Sequence, residues 1–375
     1  MTARSLPATR IALLAANSAW NILNFRRPLV EALLAAGWRV IALAPEDGHG
    51  PAIRSLGVEF VPISIDSSGT SPVRDTRLFI AYWRILRALR PHAFLGFTAK
   101  PNIYGSFAAR LLGIPTINNI SGLGTAFMRP GPLNRLVGLL YRVALHRSAR
   151  VFFQNPHDMA LFLDRGLVRP DQAELIPGSG IDLDRFKPVE MPGRPGKQFQ
   201  FLFVGRLLRD KGLAEYAEAA RLLRTRWPNV EFAVLGFAGS DNPSAVPITE
   251  VERWQAEGTV NYLGDTDDVR PFLAECGCVV LPSYREGLPR SLLEAAAMAR
   301  PMVATDVPGC REVVSDKETG FLCEVRSAPA LATAMEAMLA LEPADREAMG
   351  LRARDKVEKE FDEALVVQAY MEALK

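Results

Sequence analysis

Histidine and cysteine are scarce in this chain of 375 residues, with four of each. The cysteines, Cys276, Cys278, Cys310 and Cys323, lack the C-x2-C spacing of a zinc site. Their apolar neighbours read as reduced core thiols, which suits a reducing cytoplasm. No apolar run reaches 18 residues, so no transmembrane helix is expected. The apolar stretch 11–16 behind Arg4 and Arg10 is too short for the core of a signal peptide and reads better as a first strand. Excess charge is also missing: the formal net charge is +2, which gives no overall field for nucleic acid. A dinucleotide fingerprint fails as well, because Gly122 and Gly124 are followed by Phe127 where G-x-G-x-x-G needs its third glycine.

What remains is an ordinary soluble composition, 49% hydrophobic and 23% charged, in a chain too long for one core. Strand-like apolar runs alternate with helical patterns. In the first half the strands are expected at 10–16, 38–45, 59–65, 93–99, 116–122 and 149–155, with helices at 28–37, 74–91 and 102–115. The stretch 173–198 is rich in Pro and Gly and reads as a linker. The second half resumes with strands at 200–206, 230–236, 259–264, 277–282 and 301–306. Repeated βα units predict an α/β protein of two doubly wound parallel sheets, in domains 1–180 and 181–360.

The stretch 282–312 carries the most chemistry. An apolar strand ends at Pro282, the turn SYREGLP follows, and SLLEAAAMA has strong helix propensity before a second strand. Ligands of such sheets sit beyond the carboxyl ends of the strands, where this turn lies. Glu286 in the turn and Glu294 in the helix are two carboxylates able to accept hydrogen bonds from vicinal hydroxyls of sugars. The amides of Gly287 and Leu288, near a helix N-terminus, suit a phosphate. The stretch 204–213, VGRLLRDKGL, adds Gly205 for close backbone approach and two cations, Arg206 and Lys211, at a strand end. Fixed cations there can stabilise a diphosphate leaving group without a metal. Each charge-assisted hydrogen bond contributes roughly 1.5–3 kcal/mol.

Glu-x7-Glu within EGLPRSLLEAAAMARPMVAT, together with G-R-L-x3-K-G upstream, resembles the signature of the GT4 family of retaining glycosyltransferases. The resemblance spans nearly the whole chain and implies the GT-B architecture, two Rossmann-like domains with a cleft between them. It further implies that the first domain faces the acceptor, that the second binds the nucleotide sugar, and that the last helix, 361–374, crosses back to the first domain. It assigns Glu294 to the ribose, Glu286 to the donor sugar hydroxyls, and Arg206 and Lys211 to the diphosphate, which makes Glu286, Arg206 and Lys211 the catalytic set. Gly236 and the turn 262–269 would frame the nucleotide. The donor is a substrate, so no cofactor and no metal are expected.

Three loops of the first half are candidates for the acceptor side. They carry Asn21, Asn24, Arg26 and Arg27; Thr98, Lys100 and Asn102; and Gly122 and Gly124. T-x-K-P-N-x-Y-G followed by I-x-G-L-G resembles the GT4 subgroup that extends polyprenyl-diphosphate-linked saccharides, such as N-acetylgalactosaminyltransferases. Lys100 would then meet an acceptor or donor phosphate. Many GT4 enzymes have a first-domain His near the donor sugar. Here His49, His92, His146 and His157 all lie outside 97–105, so that role does not transfer. The leaving phosphate would itself take the acceptor proton. The stretch 129–150 reads as a basic amphipathic helix with Arg135, Arg142, Arg147 and Arg150, suited to an anionic membrane or to ordinary packing on the sheet.

The expected activity is transfer of a hexose or N-acetylhexosamine from a nucleoside-diphosphate sugar, UDP foremost, to a lipid-linked or polysaccharide acceptor with retention. The expected location is the cytoplasm, peripheral to the inner face of the cell membrane. Two competing readings are a sugar-nucleotide epimerase on the same architecture and a catalytically silent sugar-nucleotide-binding scaffold.

Overall fold

The run Ile11–Ala15 alternates its burial between two faces, as a strand covered on both sides must. Ala12 and Leu14 enter one cluster of core residues, whereas Leu13 and Ala15 enter another. In the computed structural model, which describes residues 10–66, 71–123, 127, 131–191, 198–239 and 242–375, the chain divides into two units. The first comprises residues 1–179 and 363–375, the second residues 180–362.

The sheet of the first unit contains β1 (Ile11–Ala15), β2 (Arg39–Ala44), β3 (Glu59–Pro62), β4 (Ala93–Gly96), β5 (Thr116–Ile120), β6 (Arg150–Phe153) and β7 (Ala173–Leu175). Their order is β3-β2-β1-β4-β5-β6-β7, and every pairing is parallel. The second sheet contains β8 (Phe199–Val204), β9 (Val230–Leu235), β10 (Asn261–Tyr262), β11 (Cys278–Leu281), β12 (Met302–Thr305) and β13 (Gly320–Cys323). Its order is β10-β9-β8-β11-β12-β13, again parallel. Strand order reverses between β1 and β4 in the first sheet and between β8 and β11 in the second.

Several elements differ from the sequence expectation. The segment after β1 is a helix, Ala19–Phe25, rather than a loop, because the Ser18 hydroxyl accepts the Asn21 amide and caps it. The expected linker 173–198 is divided in function. Its first three residues pair with β6 as an edge strand. Farther on, Val189 and Glu190 are held to the second unit by the fully buried Arg300, whose Nη2 donates to their carbonyls at 2.9 and 2.7 Å. The basic helix expected over 129–150 spans Pro132–Leu145, and Arg150 begins β6; residues 129 and 130 lie outside the described residues. Strand β13 and the helices Gly50–Ser55, Ala328–Ala340 and Pro343–Glu360 were not anticipated.

The helix Glu363–Ala373 follows the second unit in sequence and belongs to the first in space. Val366 and Tyr370 sit in the same core cluster as Ala12 and Leu14. The Tyr370 ring packs on Phe152 and Phe97, with centroids 4.7 and 5.8 Å away. Its hydroxyl accepts from Asn119 Nδ2 at 3.0 Å. Burial pushes that hydroxyl up to about 12, so it stays protonated. Among the described residues no helix is long and apolar enough to cross a membrane.

Candidate active site

Because β8 pairs directly with β11, the loops at their carboxyl ends are neighbours at the reversal of strand order, where open α/β sheets place their ligands. These are the two loops that carry the motifs, 205–212 and 282–289. The amide of Tyr284 donates to the Asp210 carbonyl at 2.9 Å and ties one loop to the other. The approach is so close at Gly212, with φ +73°, that a Cβ there would stand 2.1 Å from the Pro282 carbonyl oxygen.

Lys211 and Glu286 meet at this junction, Nζ against Oε1, in an ion pair whose side chains are 21% and 11% exposed. The Ser283 hydroxyl donates to the same carboxylate oxygen at 2.6 Å. Ser283 is in turn fully buried, and its carbonyl accepts from Thr305 Oγ1 at the end of β12. From the other side the Glu286 amide donates to the Pro308 carbonyl at 3.2 Å. Gly309 lies against it with φ +89°, and a Cβ there would be 2.6 Å from the Glu286 Cβ. Glu286 is therefore positioned by three strand ends, those of β8, β11 and β12.

Glu294 lies on the first turns of the helix Arg290–Ala297 and pairs with Arg290, Nε to Oε1 2.9 Å. Burial pushes its carboxyl above the ordinary glutamate range; the Arg290 and Arg185 guanidinium groups pull it back, and Asp268 opposes them. Arg206 is exposed at the mouth of the β8 loop, whereas Gly287 is buried. Gly236, at the end of β9, approaches Gly205 so closely that a Cβ would stand 1.8 Å from the Gly205 carbonyl oxygen. Its own carbonyl accepts the Tyr262 hydroxyl at 3.0 Å. Among the described residues no group of three or more His, Cys, Asp or Glu is placed to hold a metal ion.

Ser283, Thr305, Gly309 and Arg290 escaped the sequence reading. Ser283 stands three residues before Glu286, and Arg290 four before Glu294, a helical spacing that could have revealed the second pair. Tyr284 and Glu215 also went unnoticed, and their side chains join at 2.6 Å behind the Lys211 loop.

In the first unit the candidates separate. Lys100 Nζ pairs with Asp75 at 2.8 Å. Asn102 does not face solvent. It is 1% exposed, its Nδ2 donates to the Asn119 carbonyl at 2.8 Å, and its Oδ1 accepts from Asn118 at 2.9 Å. It belongs to a buried polar network that includes Ser106 and Ser148. A Cβ at Gly96 would meet Asn102 Oδ1 at 2.5 Å, and one at Gly105 would meet the Phe94 ring at 2.3 Å. Much of T-x-K-P-N-x-Y-G therefore serves packing. Arg26 is 3% exposed and stacks on Phe97, with its guanidinium carbon 4.4 Å from the ring centroid. Asn21 continues the Ser18 cap, Asn24 donates to the Trp20 carbonyl at 3.1 Å, and Arg27 pairs with Glu31 at 2.8 Å. Gly122 adopts φ 137°; Gly124 lies outside the described residues.

Comparison with known proteins accounts for both units. The model for glycosyl transferases group 1 matches residues 198–340, and that for the glycosyl transferase 4-like domain matches residues 24–178. The chain is 26% identical over 366 residues to N,N'-diacetylbacillosaminyl-diphospho-undecaprenol alpha-1,3-N-acetylgalactosaminyltransferase of Campylobacter jejuni, covering 94% of each chain. Its fold matches sucrose-phosphate synthase from Thermosynechococcus elongatus with a TM-score of 0.78 at 21% identity, over 96% of this chain and 98% of that one. It matches Anabaena HepE, solved in complex with UDP-glucose, with a TM-score of 0.78 at 17% identity, over 97% and 99% of the two chains. With one family model matching most of each parallel-sheet unit, this chain belongs to the GT4 group of retaining glycosyltransferases and has the GT-B fold.

Proposed function

We propose that the enzyme moves a hexose or N-acetylhexosamine from a UDP-sugar to a lipid-linked saccharide, with Glu286, Arg206 and Lys211 as its catalytic residues. The observation that carries this reading is the contact between Lys211 and Glu286. In a nucleotide sugar the β-phosphate is bonded to the anomeric carbon. A cation that holds the phosphate and a carboxylate that holds the sugar must therefore be neighbours, as these two are. Glu294 supplies the acceptor pair for the ribose hydroxyls, with Arg290 fixing its orientation.

The chemistry then follows from charge. The bond between the anomeric carbon and the phosphate oxygen breaks as the acceptor oxygen attacks from the same face. The electron pair stays on the departing diphosphate, where Arg206 and Lys211 stabilise it. The acceptor hydroxyl proton passes to a phosphate oxygen. The choice of a lipid-linked acceptor is supported by the Campylobacter relative, whose name specifies a diphospho-undecaprenol acceptor. The UDP preference is supported by the UDP-glucose complex of HepE.

Titration calorimetry with UDP, GDP and ADP, beside Glu294→Ala, tests the donor assignment. One nucleotide should bind in the micromolar range, roughly 8 kcal/mol, and fail to bind the variant. Equal binding to both proteins would refute the ribose role. A transfer assay with UDP-sugars and polyprenyl-diphosphate saccharides tests the acceptor, and donor turnover without acceptor would favour an epimerase.

A further inference from the structure

The helix Pro132–Leu145 is unusual in what it leaves uncovered. Leu133, Leu136, Leu139 and Val143 are between 42% and 57% exposed. They recur at spacings of three and four, so they form one stripe along the helix. Leu136, Leu139 and Val143 form one wall of an apolar groove of about 570 Å³; Phe79 of the helix Pro72–Leu89 forms the other, and Tyr104 and Phe107 lie between. A second cavity, of about 580 Å³, is lined by Arg74, Arg77 and Lys100 with Asp66 and Asp75. The two share Asp75. Tyr104 marks the boundary: it lines the groove, while its hydroxyl bonds Asp75, the same carboxylate that pairs with Lys100.

We infer that these adjoining cavities form one site for an isoprenoid diphosphate, with the hydrocarbon chain in the groove and the diphosphate on Arg74, Arg77 and Lys100. This names the lipid of the acceptor, and it rests on the lipid-linked reading above. Charge complementarity selects the occupant. The polar cavity holds three cations against two carboxylates. The Arg74–Asp66 pair lies on its rim, with Arg74 68% exposed, and such a pair contributes little, so a diphosphate can displace it. A groove walled on two sides by helices suits a single hydrocarbon chain, with a polar end held where the cations begin. Lys100 lies just beyond the carboxyl end of β4, at the reversal of strand order in the first sheet, the usual ligand position in such folds.

Calorimetry of the whole protein with inorganic pyrophosphate and with isoprenyl diphosphates of increasing length tests this. Affinity should rise about tenfold or more along the series as methylene groups are buried. Leu139→Glu, at a position 57% exposed and so compatible with folding, should abolish that rise and leave pyrophosphate and UDP binding unchanged. Arg77→Gln should weaken pyrophosphate and every isoprenyl diphosphate alike. If isoprenyl diphosphates bind and Leu139→Glu keeps the full dependence on length, the groove assignment fails while the acceptor reading stands. If none binds while UDP does, the acceptor reading fails with it. Salt-sensitive binding to anionic vesicles that Leu139→Glu removes, without any dependence on isoprenoid length, would assign this face to a bilayer and overturn the proposal. A dimer in sedimentation that Leu139→Glu dissociates would overturn it in favour of a second copy.

Discussion

Replacing Glu286 by Gln separates two roles that the Lys211–Glu286 pair combines. Gln has the same shape and keeps an oxygen to accept from Ser283, which now donates at 2.6 Å, so the loop should hold its course. What disappears is the negative charge. A hydrogen bond from a sugar hydroxyl to a carboxylate becomes one to a neutral amide, and the difference is at most the roughly 1.5–3 kcal/mol of a charge-assisted bond. On that basis kcat/KM for the donor should fall clearly, with about 10- to 150-fold as the ceiling. UDP alone carries no sugar and gains nothing from Glu286. Its affinity should hold or increase, because Lys211 is released from its partner and a like charge is removed from beside the phosphates. The assay is radiolabelled sugar transfer under initial-rate conditions, with UDP affinity measured on the same protein by calorimetry. A kcat/KM within threefold of the parent would refute the sugar contact. Loss of UDP binding would show that Glu286 maintains the loop instead of holding the sugar.

Gly309→Ala should damage the same site indirectly. It forces a side chain into φ +89° and a Cβ 2.6 Å from that of Glu286, so transfer should fall by about a hundredfold for a displacement near 1 Å, with UDP affinity little changed; equal rates would sink the argument. Nucleotide affinity should weaken on acidification at a pH above the ordinary glutamate range, because Glu294 is raised by burial and loses its charge first as pH falls. That inflection should be absent from a pH titration of Glu294→Gln. Tyr370→Ala should lower the unfolding temperature through the cavity left beside Phe97 and Phe152, costing roughly 3–5 kcal/mol; a calorimetric scan showing no shift would contradict the packing described.

The order of strands and helices was legible because buried parallel strands read as continuous apolar runs, as Cys278–Leu281 does. Short or edge elements were not. β7, with two of its three residues exposed, has the composition of a linker, and only its pairing with β6 makes it a strand. The two glutamates and Lys211 stood out because their spacing is local. Ser283, Thr305 and Gly309 did not, because their role exists only once β11 and β12 lie side by side. The surroundings of Asn102 were hidden for the same reason: its partners, Asn118 and Asn119, come from β5, and local spacing does not show that they bury it.

The return of Glu363–Ala373 to the first unit has a consequence for biosynthesis. A ribosome completes the second unit before it makes the helix that closes the first. Until then, the surface formed by Phe97 and Phe152 lacks Tyr370, and Asn119 lacks its acceptor. The nascent first unit thus waits, with apolar side chains bare to water and to chaperones, for a segment encoded more than a domain downstream. A stop codon within the second unit would leave both units defective, and one just after Asp362 would still leave the first unclosed, so the cell receives a finished enzyme or an unstable fragment open to degradation.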